Sequence, residues 1–185
     1  AQRDLLDAHA GAQEIARGEA SDVSITPFTV DDTDGAQHSF VVRALTFFET
    51  SYRLITPSGL RDVTLPRKST IQGLYRGRLI VTLEQEWQVS GHVYPNGALI
   101  AIPLNTATGA APTIEEIFAP GPRQSIENVA ITHDAVLVAG FDNVRGRLQR
   151  FALSGHTWTG APVALPLTGV ITVASADPAD THAFV

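Results

Sequence analysis

Residues 71–120 carry the clearest pattern of hydrophobic and polar positions in the chain. Four runs of strand length follow one another there, at 71–75, 78–83, 97–102 and 114–118. The first two are separated only by Arg76-Gly77, and the second and third by a polar excursion that contains Gly and Pro. Short runs rich in branched apolar residues and bounded by such residues predict four β-strands joined by turns, with no helix between them.

The same pattern recurs on both sides of this stretch. Before it, extended runs are predicted from Val23, at 40–48, at 52–56 and at 60–65. After it, they are predicted at 128–131, 135–139, 146–153 and 158–165. The three units end in similar phrases, Thr64-Leu65-Pro66, Phe118-Ala119-Pro120 and Ala164-Leu165-Pro166. A unit of about 50 residues with four short strands is typical of one blade of a β-propeller.

These observations predict an all-β fold, a fragment of a β-propeller with about three four-stranded antiparallel blades and partial blades at both ends. The blades are assigned to residues 20–66, 67–120 and 121–166, and residues 167–185, with a strand at 169–174, to the start of the next. Residues 1–19 are assigned to the end of a preceding blade, although their periodicity fits a helical stripe as well as an outer strand at 13–16. A β-sandwich would also give many short strands, but the shared unit endings and spacing favour the propeller.

Composition excludes several classes of protein. Of 185 residues, 44% are hydrophobic and 17% are charged, which indicates a globular chain. The formal net charge of -6 and the scattered basic residues argue against a nucleic-acid partner. No apolar run approaches the roughly 20 residues of a membrane span, and the first residues do not resemble a signal peptide. The sequence is that of a soluble protein and does not decide between cytoplasm and periplasm.

Two residue types are missing from the chain. Cysteine is absent, so disulfides, thiolate metal sites and thiol nucleophiles are excluded within these residues. Methionine is absent even at residue 1, which predicts that the chain is an interior piece of a longer protein.

A search for catalytic, metal-binding and cofactor-binding motifs predicts no such residue. The nucleophile elbow Gly-x-Ser-x-Gly and the glycine-rich phosphate loops are missing. Ser90-Gly91-His92 and Ser154-Gly155-His156 bring Ser near His but read as hairpin turns. None of the six histidines shows zinc-site spacing, and all six are interpreted as surface or loop residues: His9, His38, His92, His133, His156 and His182.

Charged clusters give no site either. Asp31, Asp32 and Asp34 precede Gly35 without the spacing of a calcium loop, so a solvated turn is predicted. Four glutamates lie at strand ends or on an outer strand, where nothing makes them converge: Glu84, Glu86, Glu115 and Glu116. The phrases Arg76-Gly77-Arg78-Leu79 and Arg145-Gly146-Arg147-Leu148 are interpreted as hairpin turns with solvated arginines, and the alternative is that some of these arginines line a ligand-facing channel. Catalytic residues, metal ligands and cofactors are therefore predicted to be absent, and ligand-binding residues stay unassigned.

Several phrases follow one another in a characteristic order. They are Gly18-Glu19-x-x-Asp22-Val23, the run from Phe40 to Phe48, Tyr94-Pro95-x-Gly97-x-Leu99-x-Ala101, the run from Asp142 to Leu148, and Ser175-Ala176-Asp177-Pro178. Taken together, they resemble the N-terminal propeller of the prolyl oligopeptidase family of serine peptidases, particularly its bacterial members. The similarity extends over roughly residues 12–185. Pro103 departs from the pattern, because an acidic residue is expected at that strand end.

The resemblance implies a seven-bladed propeller set over an α/β-hydrolase domain. In that family the catalytic Ser, Asp and His belong to the hydrolase domain, so no residue of this chain takes a catalytic role. The propeller would act as a filter that admits short peptides, which are then cut after proline. The implied partners are the hydrolase domain of the same protein and a short peptide substrate.

Two other functions are consistent with the residues alone. One is a stand-alone propeller that presents loops to a protein partner, and the other is a propeller glycosidase, which unpaired carboxylates disfavour. An incomplete ring also leaves its terminal blades uncovered. The isolated chain is therefore expected to form a dimer or larger assembly through apolar faces assigned to Ile25, Val41, Leu45, Ile171 and Val173. The alternative is that it is a segment of a longer molecule whose remaining blades cover those faces.

Overall fold

A computed structural model describes residues 14–165 and 169–185 of the chain. Within those residues it contains β-strands and no helix. The strands are β1 Ser24–Asp31, β2 Gln37–Ala44, β3 Thr50–Thr56, β4 Gly59–Asp62, β5 Ser69–Tyr75, β6 Arg78–Leu83, β7 Trp87–Val89, β8 His92–Tyr94, β9 Leu99–Pro103, β10 Glu115–Phe118, β11 Gln124–Ile131, β12 Val136–Asp142, β13 Arg145–Ser154, β14 Thr157–Pro162, β15 Ser175–Ala176 and β16 Ala183–Phe184.

Twelve of these strands form three four-stranded antiparallel sheets, one after another along the chain. Their orders are β1-β2-β3-β4, β5-β6-β9-β10 and β11-β12-β13-β14. Two short hairpins, β7-β8 and β15-β16, complete the described part. The all-β fold predicted from the sequence is confirmed, including the four strands of residues 71–120 in one sheet.

The middle sheet is packed on both faces, which explains why its strands lack a polar side. On β6, Leu79, Ile80 and Val81 are all fully buried although they alternate in direction. Leu79 and Val81 belong to the apolar cluster shared with the first sheet, and Ile80 to the cluster shared with the third. A strand between two such layers is expected to be a continuous apolar run.

The first strand of each sheet is an edge strand that lies beside the first strand of the next. β1 contacts β5, β5 contacts β11, and β11 contacts β15. The sheets therefore share one axial side, on which four strands lie next to one another without pairing. This is how the inner strands of a propeller are arranged around its axis.

The two ends of the axis can be told apart by their connections. The turn end carries the β1-β2, β5-β6 and β11-β12 turns, which touch one another through Asp32, Thr33, Gly77 and His133. The linker end carries the β2-β3 and β12-β13 turns together with the segments that join the sheets. Two backbone bonds tie turns to segments there, from Thr50 N–H to the Arg67 carbonyl and from Asn143 N–H to that of Arg123.

Two predicted strands differ in the structure. The run 40–48 is a strand only up to Ala44, because the chain then turns, with Leu45 N–H donating to the Glu49 carbonyl. Phe47 and Phe48 lie in that turn and are exposed rather than buried. The predicted strand at 169–174 is also wrong, since pairing begins only at Ser175.

The beginning of the chain is described in part. Residues 14–19 form neither the outer strand nor the helix that their periodicity allowed, and residue 13 with those before it lies outside the described residues. The hairpin β7-β8 was not predicted, because its polar, Gly-containing sequence was interpreted as an irregular excursion.

The terminal faces are less open than predicted. Val41 and Val173 are buried within the chain, at 3% and 7% exposure, so neither is free to cover a partner. Ile25, Leu45 and Ile171 are partly buried. On the first sheet, Arg43 on β2 binds Asp22 instead of leaving an apolar face.

Candidate functional site at the axis

An open depression of about 550 Å³ lies on the axial side of the sheets. All four first strands contribute to its lining, with polar side chains such as Thr29, Gln72, Asn128 and Ser175. Because β1, β5 and β11 are edge strands, their outer N–H and C=O groups are not used by their own sheets. The depression therefore offers hydroxyl, amide and backbone groups and the Asp31 carboxylate, which bind polar or peptide-like ligands.

Gly73 brings three first strands close together at this depression. A Cβ atom at Gly73 would lie 2.6 Å from Cδ1 of Ile131 on β11 and 4.0 Å from Cγ1 of Val30 on β1. Gly73 also sits at a bulge in the pairing of β5 with β6. The missing side chain therefore allows Ile131 to pack directly against the backbone of the neighbouring sheet.

The turn Asp32–Ala36 joins the first two sheets at the turn end. Asp32 is 3% exposed, and its carboxylate accepts hydrogen bonds from the N–H groups of Thr33 and Gly77, each at 2.6 Å. The hydroxyl of Thr33 accepts a further bond from Arg76 N–H at 3.1 Å. The sequence-based prediction of a solvated turn is therefore wrong for Asp32 and Thr33, which are buried at a junction between sheets.

A third sheet reaches the same junction through its own turn. The Nδ1 atom of His133 lies 3.0 Å from the Thr33 carbonyl, and His133 N–H donates to the Asp180 carbonyl at 2.8 Å. In the same turn, Asp134 accepts a hydrogen bond from Arg150 at 2.6 Å. Burial alone would raise the pKa of Asp134, but the bonds from Arg150 and Thr132 outweigh it, and the pKa is lowered.

Glu115 links the second and third sheets at their outer edges. Its side chain is 9% exposed and accepts bonds from Arg78 Nε and Trp158 Nε1, both at 2.9 Å. Nδ1 of His156 lies 3.3 Å from its other oxygen. Burial acts to raise the pKa of Glu115, yet these hydrogen bonds hold it below the ordinary glutamate value.

This contact corrects two sequence-based interpretations. Arg78 is not a solvated turn residue, since its side chain is 13% exposed and bound to Glu115. Glu115 does converge with other groups, but they are the guanidinium of Arg78, the imidazole of His156 and the indole of Trp158 instead of a second carboxylate. The arrangement stabilises a pair of sheets and lacks the paired carboxylates of a glycosidase.

Tyr75 fills the space between this group and the axis. It is fully buried, with the Trp158 ring centroid 5.4 Å from its own and the Arg76 guanidinium 5.2 Å over its face. Burial raises the pKa of its hydroxyl. The hydroxyl oxygen has no hydrogen-bond partner among the described residues.

The remaining candidates stay apart from one another. Ser90 and Gly91 form the β7-β8 turn, with φ of 51° and 78°, and Ser154 ends β13 before the turn at Gly155. Glu84, which follows β6, accepts a hydrogen bond from the hydroxyl of Thr70 on β5 and takes no part in the Glu115 group. Within residues 14–165 and 169–185, no group of three His, Cys, Asp or Glu side chains could hold a metal ion.

Sequence reasoning missed Asp32 and Glu115 because each acts through contacts distant in sequence. Asp32 is 45 residues from Gly77, and Glu115 is 43 residues from Trp158. A signal for the first was present, since an Asp at the start of a Gly-containing turn commonly accepts backbone N–H bonds. That it would bond the next sheet could not be read from one unit alone.

Comparisons with known proteins relate the chain to peptidases. It is 29% identical over 186 residues to an uncharacterized peptidase of Sinorhizobium fredii, a match that covers 94% of this chain and 25% of that protein. It is 27% identical over 111 residues to an uncharacterized peptidase of Rickettsia prowazekii, covering 58% of this chain and 15% of that protein. No family model matches the chain.

A solved structure shows the same fold. The post-proline cleaving enzyme from Rickettsia typhi superposes with a TM-score of 0.75 at 18% identity, over 86% of this chain and 24% of that one. The resemblance predicted from the sequence is confirmed: the chain corresponds to a propeller portion of such proteins and spans about a quarter of their length. No helix long and apolar enough to cross a membrane occurs in the described part of the chain.

Proposed function

We propose that the chain is the non-catalytic, substrate-gating portion of the propeller of a prolyl-oligopeptidase-type serine peptidase, which cuts short peptides after proline. The blades would comprise residues 20–66, 67–120 and 121–166, with 1–19 ending the preceding blade and 167–185 starting the next. A hydrolase domain of the same protein would supply the catalytic Ser, Asp and His.

The axial depression is the observation that carries this proposal. The first strands of three sheets line one open, polar depression. The faces of neighbouring sheets are joined by buried apolar contacts. Such a wall binds peptides weakly through hydroxyl, amide and backbone groups and limits their size by its width. No part of it assembles a nucleophile with a base, so the reaction itself would take place elsewhere.

A gate of this kind depends on the sheets staying together. The Asp32–Gly77 bond and the Glu115 group are two of the polar joints between neighbouring sheets. Loosening a joint would widen the ring for longer substrates and leave the chemistry of the hydrolase domain unchanged. The gating role therefore predicts a change in size selectivity without a change in the cleaved bond.

The test uses the whole protein encoded by the gene that contains this chain. A short chromogenic peptide ending in proline and an unfolded protein rich in proline are given to the parent protein and to its Asp32→Ala variant. The expected result is cleavage of the short peptide by both, with a raised ratio of long to short cleavage in the variant. The control is Asp34→Ala, an exposed residue of the same turn.

Three outcomes would contradict the proposal in whole or in part. A parent protein that does not cleave the proline peptide is not such a peptidase, and a gene without a Gly-x-Ser-x-Gly segment would instead favour the stand-alone binding propeller. Unchanged size selectivity in a folded Asp32→Ala variant would remove the gating role alone.

A further inference from the structure

A cleft of about 230 Å³ lies between the second and third sheets, near the β12-β13 turn. One wall is Phe118 at the end of β10, and the rest comes from the third sheet and from Val163 just after it. The cleft shares no lining residue with the axial depression. It is therefore a separate site, to which the gating role assigns nothing.

The pairing of β12 with β13 determines which side chains face this cleft. Val138 lies opposite Gln149, and Gly140 lies opposite Arg147. Opposed residues share one face of a sheet, as do residues at alternate positions of one strand. Val138 belongs to the apolar cluster shared with the second sheet. Arg147 and Gln149 therefore point toward the second sheet, beyond the end of that cluster.

Gly140 allows the first strand of the third sheet to form a wall of the cleft. A Cβ atom at position 140 would collide with the carbonyl oxygen of Ser125 on β11. A bulge in the pairing of β11 with β12 lies just beyond Ile126. The close approach of the two strands brings Gln124 and Ser125 to the lining, where they add polar groups.

Arg147 differs from the other partly buried arginines of residues 14–165 and 169–185. Its side chain makes no ion pair or hydrogen bond to these residues, although it is partly buried. The other four partly buried arginines each bind a carboxylate, in the pairs Arg43–Asp22, Arg53–Asp62, Arg78–Glu115 and Arg150–Asp134. A charged group that has lost part of its water without gaining an acceptor favours an acceptor supplied from outside.

The cleft also holds a carboxylate, that of Asp142. It is partly buried and forms no ion pair with Arg147 or with another cation of the described chain. Much of the remaining lining is apolar, including Phe118, Val138 and Pro162. An apolar pocket with a few separated polar groups orients a small ligand, because each polar group fixes one end of it.

We propose that this cleft binds a free amino acid or a dipeptide with an apolar side chain. The ligand carboxylate would accept hydrogen bonds from the guanidinium of Arg147, whose planar fork matches a carboxylate. The ligand ammonium group would donate to Asp142, and its apolar side chain would contact Phe118 and Val138. The inference goes beyond the proposed function and does not depend on it.

The size of the cleft sets the size of the ligand. A volume of about 230 Å³ corresponds to that of roughly eight water molecules at about 30 Å³ each. A ligand of one or two amino-acid residues fills such a space, whereas a longer peptide does not fit within it. Both candidate ligands have the same charged ends, so binding measurements decide between them.

Calorimetric titration of the full parent protein with leucine and with the dipeptide alanyl-leucine tests the proposal. The amidated form of each ligand lacks the carboxylate, and the N-acetylated form lacks the ammonium group. We expect a Kd below about 1 mM for at least one free ligand and binding at least about tenfold weaker for its two blocked forms. The tighter of the two free ligands identifies an amino-acid or a dipeptide site.

Two substitutions locate the binding within this cleft. Arg147→Gln should weaken binding of the free ligand by about tenfold and remove the difference between free and amidated forms. Asp142→Asn should remove the difference between free and N-acetylated forms. Arg145→Gln is the matched control, because Arg145 is exposed on the same strand and does not line the cleft. Thermal unfolding without ligand shows whether each variant is folded.

Three results would overturn the proposal. The first is the absence of binding by either ligand at millimolar concentrations. The second is equal binding of the free and amidated forms by the unsubstituted protein, a comparison that needs no variant to fold. The third is unchanged binding in both Arg147→Gln and Asp142→Asn, which would place the ligand elsewhere. Peptidase activity enters none of these measurements, so failure of the proposed function would leave their outcome unaffected.

Discussion

Asp32 and Gly77 join two sheets through one hydrogen bond between a buried carboxylate and a backbone N–H group. The oxygen–nitrogen distance is 2.6 Å, and the two residues lie 45 positions apart in the chain. The same carboxylate accepts the N–H of Thr33, so one buried side chain closes its own turn and caps the turn of the next sheet. A buried carboxylate with such bonds stabilises the junction only while both donors remain in place.

We expect Asp32→Ala to lower the free energy of unfolding by about 2–3 kcal/mol, because two backbone N–H groups lose a charged acceptor in a buried position. Thermal unfolding followed by circular dichroism measures the loss. Asp34→Ala is the control, since Asp34 is exposed and accepts one local bond from Ala36 N–H. Equal losses for the two variants would show that the bond to Gly77 adds nothing.

Gly73 is expected to tolerate no side chain while Ile131 keeps its full length. Gly73→Ala would place Cβ 2.6 Å from Cδ1 of Ile131, and overpacking of this kind costs about 1–3 kcal/mol. Ile131→Val removes that carbon atom, and the next nearest atom of the side chain is 3.8 Å away. In Gly73→Ala/Ile131→Val the combined loss should therefore be smaller than the sum of the two single losses.

A double-mutant cycle from denaturant unfolding gives the coupling between the two positions. Part of the cost at Gly73 will persist, because its φ of 157° is uncommon for a residue with a side chain. Strict additivity of the two single effects would mean that β5 moves away from β11 and that the close approach is not required.

The sequence predicted the sheets well because strand formation here is largely local. The branched run that became β6 and the turn at Arg76-Gly77 were evident from residue types alone. The strand predicted to end at Phe48 failed for a different reason: hydrophobicity alone does not distinguish a buried Phe40 from an exposed Phe47. What buries the former is a second sheet, and what leaves the latter in solvent is a turn.

The candidate site was much less predictable. The depression is lined by four strands that belong to different sheets and lie far apart in the sequence, so no local pattern of residues predicts it. Glu115 illustrates the limit, since it occupies an outer strand and gains its role only from Arg78 and Trp158 on two different sheets. Contacts between repeats depend on how the units pack, which one sequence without its structure does not specify.

Glu115→Gln should make stability less dependent on acid pH. The pKa of Glu115 is lowered in the folded chain. The ionised side chain therefore stabilises the fold fully above the ordinary glutamate pKa of about 4.3, and this stabilisation is lost as the pH falls through the lower pKa of the folded chain. We expect the variant to be less stable by about 1–3 kcal/mol at neutral pH. The difference from the unsubstituted chain should shrink below about pH 4.

Urea unfolding at a series of pH values measures this difference. Asp22 and Asp134 also have lowered pKa values, so the variant will keep some acid sensitivity of its own. Glu116→Gln, at the neighbouring exposed position, is the control. A stability difference that grows as the pH falls would have the wrong sign and would contradict the assigned role of the Arg78 bond.

The isolated chain should not hydrolyse peptides. Neither Ser90 nor Ser154 lies in a nucleophile elbow, and the nearby imidazole of His156 is turned to Glu115. The measurement is release of chromophore from a peptide ending in proline by purified residues 1–185. Turnover that persists through purification to homogeneity, and that disappears in a Ser154→Ala or Ser90→Ala variant, would show a catalytic site within these residues.

Self-association of the isolated chain is the last prediction, and it now concerns different residues from those expected from the sequence. Val41 and Val173 are already buried, whereas Phe184 on β16 is 72% exposed and Val185 beside it 58%. The sheet β15-β16 has only two strands, so both of its edges have unpaired backbone groups. We propose that 1–185 forms a dimer or larger assembly through this two-stranded sheet. Sedimentation velocity at micromolar concentrations should show Phe184→Ser to be more monomeric than the unsubstituted chain. The double variant Phe47→Ser/Phe48→Ser is the matched comparison at the linker end. If only this variant abolishes association, the contact lies at the linker end. A monomeric unsubstituted chain would refute self-association altogether.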